Sequence, residues 1–330
     1  MNGGEYLIVA RQRGLSVLEW VGDRWAEWAH GLADQNVTSV IAREGVILAG
    51  TTRGVWRSDD LGRTFAATGS LKHQHVRWMA FHPDVSDFEF AGTEPAGIFV
   101  SHDGGASWRE CPEVAALRDR RHWSLPYSLE AGCVRGFAFN GARAFAAVEV
   151  GGVLRSEDRG ETWRLAEGSP GGPSLDTLPP PFIYPDVHSI VVHPSSPDLV
   201  FAPTGDGFFR STDGGRTWDK RYDCYVRAVW VNPDDPAHMV LGPADGVDRN
   251  GRIEVTRDGG VTWQPAAAGL GTPWRRHMVE RFTQIDSELV AVLSNGEVLV
   301  SRIDSLGWRN LGLADVNAVT TMLEFKGLET

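Results

Sequence analysis

The sequence predicts an all-β fold, a seven-bladed β-propeller of four-stranded antiparallel blades, on three observations. The octet STDGGRTW at residues 211–218 has four relatives: SDDLGRTF from Ser58, SHDGGASW from Ser101, SEDRGETW from Ser156 and TRDGGVTW from Thr256. Their aspartates (Asp60, Asp103, Asp158, Asp213 and Asp258) follow one another at 43, 55, 55 and 45 residues, a period that marks a propeller or a solenoid. Seven short segments of first-strand type punctuate the same span.

Those segments open the repeats in order: VTSV at 37, VRWM at 76, VRGF at 134, VHSI at 187, VRAV at 226, RHMV at 276 and VNAV at 316. The fourth copy shows the internal plan, with VHSIVVHP, then LVFAPTGDG, then FFRSTDGGRTW running into DKRY. Four β-rich stretches per unit make one blade. In the octet, Asp accepts hydrogen bonds from nearby amides, Gly tolerates positive φ, Ser or Thr adds hydroxyl bonds, and Trp packs between blades. Only six copies have later strands downstream. The seventh ends soon after VNAVTTMLEF, and LIVARQRGLSVLEWVGDRWAEW at the start supplies what it lacks. We therefore expect residues 316–325 to pair with the N-terminal blade and close residues 1–330 into one domain without free sheet edges.

Composition narrows the function classes. A net charge of −11 argues against a non-specific nucleic-acid binder, which needs a basic stripe. No apolar run approaches the roughly 18 residues of a membrane helix, so we expect no membrane partner. The N-terminus reads as a strand rather than a leader peptide, and Cys111, Cys133 and Cys224 form neither a disulfide framework nor a CxxC pair. These features lead us to expect a cytoplasmic protein.

The octets resemble the BNR or Asp-box repeat of sialidases, xyloglucanases, sortilin-type receptors and the photosystem II assembly propellers. The stretches AGTEPAGIFVSHDGGASW and VRAVWVNPDDP are similar to bacterial BNR-repeat proteins of the sialidase superfamily. This resemblance spans essentially the whole chain. It implies that the Asp-box turn joins the third and fourth strands on the face opposite the ligand site. The FRIP-type arginine motif of sialidases is absent, so their carboxylate clamp is not carried over.

If those turns mark the bottom, first-strand starts and second-strand ends meet at the top, around the channel mouth. First-strand starts give Thr38, His75, Arg77, Cys133, Arg135, Asp186, His188, Cys224, Arg227, Arg276, His277 and Asn317. Second-strand ends give Thr51, Glu94, Glu149, Asp206, Asp245 and Asn295. Arg77, Arg135 and Arg227 either pair with Glu94, Glu149 and Asp206 to neutralise a crowded channel or converge on an anionic ligand. His75, His122, His188 and His277 are candidates for a divalent metal in the channel, with Asp186, Glu94 or Glu149 as a further ligand or as the partner that orients one, for acid/base work, or for structural roles. The segments 109–132, 164–186 and 243–252 are long for turns in a compact repeat and are expected to project over the mouth, with Trp123, Tyr127, Phe182 and Tyr184 as stacking surfaces.

Two function classes follow. One is a hydrolase or lyase acting on a small anionic or glycosidic substrate, with Glu94, Glu149, His188 and His75 as catalytic groups and Arg77, Arg135, Arg227, His122, Trp123, Asp206 and Tyr184 as binding groups. The other is a non-catalytic propeller that presents the same face to a protein or peptide.

Overall fold

A computed structural model describes residues 5–125, 132–172 and 179–323. They form seven four-stranded antiparallel sheets. Blades 1 to 6 occupy residues 37–67, 75–110, 133–165, 187–222, 225–265 and 279–310, each running from its innermost strand outward. The seventh joins Val316–Leu323 to Glu5–Arg11, Leu15–Val21 and Arg24–Gly31. Register pairs run from Glu5 with Leu323 to Arg11 with Val316, so the expected closure is observed.

The octets are hydrogen-bonded turns of one design. In blade 4 the Asp213 carboxylate accepts from the Ser211 hydroxyl at 2.8 Å, the Thr217 amide at 2.9 Å and the Thr217 hydroxyl at 2.6 Å, while Ser211 Oγ accepts from the Gly215 amide at 2.8 Å. The same four bonds recur around Asp60, Asp103, Asp158 and Asp258. Some turns are also held from the preceding blade: Arg155 donates to the Gly214 carbonyl at 2.6 Å and Arg221 to that of Gly259 at 3.3 Å. Each satisfied turn fixes where its blade meets the next.

On the inner side the seam is valine on glycine. Val37, Val76, Val134, Val187, Val226 and Val279 are fully buried, and Val316 is nearly so. A Cβ at Gly50 would lie 2.6 Å from Val76, one at Gly92 2.5 Å from Val134, and one at Gly242 2.5 Å from Val279. Glycine is required there because the next blade's valine occupies the space a side chain would need.

The first two long segments differ from expectation. Residues 112–121 form an α-helix, Pro112–Arg121, whose Val114 and Leu117 join Phe90, Ile98, Leu154 and Trp163 in a core shared by blades 2 and 3. Trp123 belongs to that core, only 2% exposed, with its indole N–H donating to the Gly171 carbonyl at 3.0 Å. In the second segment Ile183 is fully buried and packs with Trp218 and Tyr184. Both segments fill seams between blades, because their apolar residues gain more from burial than from covering a wet opening. Phe182 is exposed, and Tyr127 lies outside the described residues.

Candidate functional site

The channel site arises from a backbone irregularity that the blades share. After its buried valine, the innermost strand of every blade carries one residue more than its partner strand; in the fourth, Val187 faces Thr204 and Val191 faces Phe201. The register slips between Val37 and Ser39, Val76 and Trp78, Val134 and Gly136, Val226 and Val229, and Val279 and Arg281. It also slips where Val316 and Ala318 pair with Arg11 and Ala10. A bulge of this kind re-aims the side chain at its extra residue. The residues following those valines are Thr38, Arg77, Arg135, Arg227, Glu280 and Asn317, and all six line one cavity of about 380 Å³. In the fourth blade His188 holds the equivalent place after Val187.

The cavity gathers four guanidiniums, from Arg77, Arg135, Arg227 and Arg281. Arg77 pairs with Glu94 at 3.3 Å. Arg135 bridges Glu149 and Glu280, at 3.2 Å to each, and Arg227 pairs with Glu280 while donating to the Tyr225 hydroxyl at 2.8 Å. Burial alone would push the Glu280 carboxyl up, but Arg227 and Arg135 more than offset it and hold it below the usual carboxylate range. Tyr225 is pushed up to about 12, chiefly by burial, and stays a neutral phenol.

Arg281 differs from the other three. Its guanidinium donates to the Thr38 carbonyl at 3.0 Å and lies 4.0 Å over the Trp78 ring, and among the described residues no carboxylate is within ion-pairing distance. Burial, and then the neighbouring Arg135, push its pKa down to about 9. Arginine does not give up its proton in proteins, so Arg281 stays a cation for which the charge of Glu280 does not offset burial and Arg135.

The other predicted residues fall in three places. His75 sits beside Glu94 at 3.7 Å, and burial followed by the charge of Arg77 pushes it down to about 4, which keeps it neutral. His188 is fully buried, its Nδ1 2.8 Å from the Val226 carbonyl and its Nε2 3.1 Å from Asp186. Asp206 pairs with Lys220 at 2.7 Å, and Tyr184 is half-buried in the seam between blades 3 and 4. His122 is the exposed left-handed cap of the helix, and His277 stacks on Trp274 at 5.1 Å. The four histidines do not converge. His188 is instead joined by Glu149 and Asp186, with one potential ligand atom from each residue lying within 4.8 Å of the others.

Glu280 and Arg281 are the main residues that sequence reading missed. Starting the sixth repeat at RHMV selects Arg276 and His277, whereas the strand begins at Val279. Aligning Val279 with Val76, Val134 and Val226 would have placed Glu280 beside Arg77, Arg135 and Arg227.

Comparisons with known proteins agree with this architecture. The family model for the BNR/Asp-box repeat matches residues 209–220. Xyloglucanase Xgh74A of Acetivibrio thermocellus is 27% identical over 146 residues, covering 35% of this chain and 16% of the xyloglucanase. Vacuolar protein sorting/targeting protein 10 of Sordaria macrospora is 23% identical over 166 residues, 47% of this chain and 10% of that protein. The chain therefore spans less than a fifth of the length of these relatives. Among solved structures, an ancestral GH74 enzyme superposes with a TM-score of 0.59 at 18% identity, over 86% of this chain and 38% of that one. YCF48 from Cyanidioschyzon merolae gives 0.53 at 12% identity, over 99% and 98% of the two chains. At these identities the likeness concerns the fold. The chain is a seven-bladed β-propeller built on the BNR/Asp-box repeat.

Proposed function

We propose that this propeller binds a small anionic ligand, a carboxylate or a phosphate ester, in the mouth of its channel. The observation behind this reading is Arg281, a guanidinium facing a cavity of about 380 Å³ without a carboxylate partner among the described residues. Glu94, Glu149 and Glu280 supply three carboxylates to the four arginines of the cavity. Arg281 is the guanidinium of the four that pairs with none of these three, and guanidinium forks suit carboxylate and phosphate oxygens. Glycoside hydrolysis is less well supported. It needs one carboxyl free to protonate the leaving oxygen and another free to act as nucleophile or base, whereas Glu94 and Glu149 are engaged by Arg77 and Arg135.

Isothermal titration with inorganic phosphate, acetate, citrate and glucuronate at low ionic strength tests the reading. At least one probe should bind saturably with a stoichiometry of one. Arg281→Gln should weaken it by about tenfold or more, since a charge-assisted hydrogen bond contributes roughly 1.5–3 kcal/mol. No binding by any probe, or equal binding by the variant, would remove the basis for the proposal.

A further inference from the structure

We propose that Glu149, Asp186 and His188 form a binding site for a divalent transition metal, with Zn²⁺ the ion the geometry suits best. His188 is fully buried, and its Nδ1 lies 2.8 Å from the Val226 carbonyl, an acceptor, so Nδ1 carries a proton. In the neutral ring Nε2 then presents a lone pair, with the Tyr225 hydroxyl 3.4 Å off, and it faces Asp186 Oδ2 more closely, at 3.1 Å. Two acceptors at that distance require a proton or a cation between them. Asp186 Oδ1 is also buried and has no hydrogen-bond partner, so this carboxylate has acceptor capacity to spare.

The distances fit a metal, although 3.1 Å also suits an N–H···O bond. Bonds of about 2.0–2.1 Å at tetrahedral angles place two zinc ligands roughly 3.3 Å apart, close to the observed 3.1 Å between Nε2 and Oδ2. Glu149, 3% exposed, offers the third ligand atom within the 4.8 Å cluster. The backbone bond at Nδ1 is the outer contact that commonly orients a metal-binding imidazole. Three protein ligands leave a fourth position on zinc, as in catalytic rather than structural sites. Arg135 lies 3.2 Å from Glu149 and also lines the anion cavity, so a bound anion would sit close to that position. This inference does not depend on the anion reading, because Zn²⁺ and the anion can be titrated separately even though Glu149 meets both sites through Arg135.

The test uses the full chain stripped with a chelator and titrated with Zn²⁺, then with Co²⁺ as a spectroscopic probe. We expect one equivalent of Zn²⁺ to bind and raise the melting temperature, and Co²⁺ to give visible absorption bands of nitrogen and oxygen ligation. His188→Ala should abolish the bands. Asp186→Asn keeps the side-chain volume, guards against a His188 variant that does not fold, and should weaken Zn²⁺ binding at least about tenfold, as loss of a ligand charge does. Absence of binding would overturn the proposal, and so would binding unchanged in both variants. Detection by ¹⁵N NMR of a doubly protonated His188 ring that stays unchanged by Zn²⁺ would also overturn it, since a proton would then occupy the place assigned to the metal.

Discussion

Replacing Asp213 with alanine tests the structural role of the octets. The carboxylate accepts from the Ser211 hydroxyl, the amides of Arg216 and Thr217, and the Thr217 hydroxyl, at 2.6 to 3.0 Å. Burial raises its pKa, but the bonds from Thr217, Ser211 and Arg216 outweigh that and hold it below the ordinary carboxylate value. Hydrogen bonds to charged groups are worth roughly 1.5–3 kcal/mol, and water reaches the Thr217 and Arg216 donors once the carboxylate is gone, so the net loss should be about 1–2 kcal/mol. An unfolding entropy near 2.1 cal/mol/K per residue makes each kcal/mol worth about 1.5 °C in a chain of this size, giving a shift of roughly 1.5–3 °C. The pH dependence has a definite sign. A carboxyl with a depressed folded-state pKa stabilises above its unfolded value of 3.8, and that stability is lost as pH falls through the folded value. The gap between wild type and Asp213→Ala, followed by calorimetry, should therefore close in acid. A variant that melts with the wild type at neutral pH, or one that melts normally but no longer binds the anion, would refute the assignment.

Three further outcomes follow from the packing. Glu89 is 1% exposed and its pKa is pushed up from 4.5 to about 7, chiefly by burial, so its contribution is complete below pH 4.5 and lost as pH rises through 7. In thermal melts the stability of the wild type relative to Glu89→Gln should fall across that window by up to roughly 3 kcal/mol, because the lowered His75 titrates alike in both proteins; parallel curves would count against a buried, neutral Glu89. Trp123→Ala should cost about 3–5 kcal/mol as a core deletion, and a normal melt combined with lost ligand binding would restore the stacking role expected from the sequence. Ending the chain before Asp315 removes the pairing of Val316–Leu323 with the N-terminal blade together with buried Val316, Val319 and Met322; we expect loss of a cooperative calorimetric transition, and a parent-like melt would contradict ring closure.

The propeller was legible because the octet is local chemistry. Asp, Gly and Ser or Thr meet within one turn, so sequence order and spatial contact coincide, and closure followed from counting strands at the two ends. Arg77, Arg135 and Arg227 were legible for a similar reason, each following a valine at a strand start. Arg281 was not, because its significance lies in what it lacks, and a missing carboxylate partner shows only when seven blades are brought together. Trp123 misled because a long loop reads as surface, whereas Pro112–Arg121 winds into a helix that places Trp123 in the seam between blades. His188 could be placed on the rim with Asp186, two residues away in the same segment, whereas the approach of Glu149 depends on how adjacent blades are rotated against each other.

The claim that the bulged residues of the innermost strands build an anion site is tested most directly by locating an anion. Crystals soaked in selenate, whose tetrahedral oxygens mimic those of a phosphate ester, can be mapped by anomalous scattering. The account predicts a peak in the channel mouth within hydrogen-bonding reach, about 2.7–3.2 Å, of Arg281 and at least one of Arg77, Arg135 and Arg227, and no such peak in Arg281→Gln crystals. Selenate found only at the Asp-box face, or in the channel equally with and without Arg281, would contradict it.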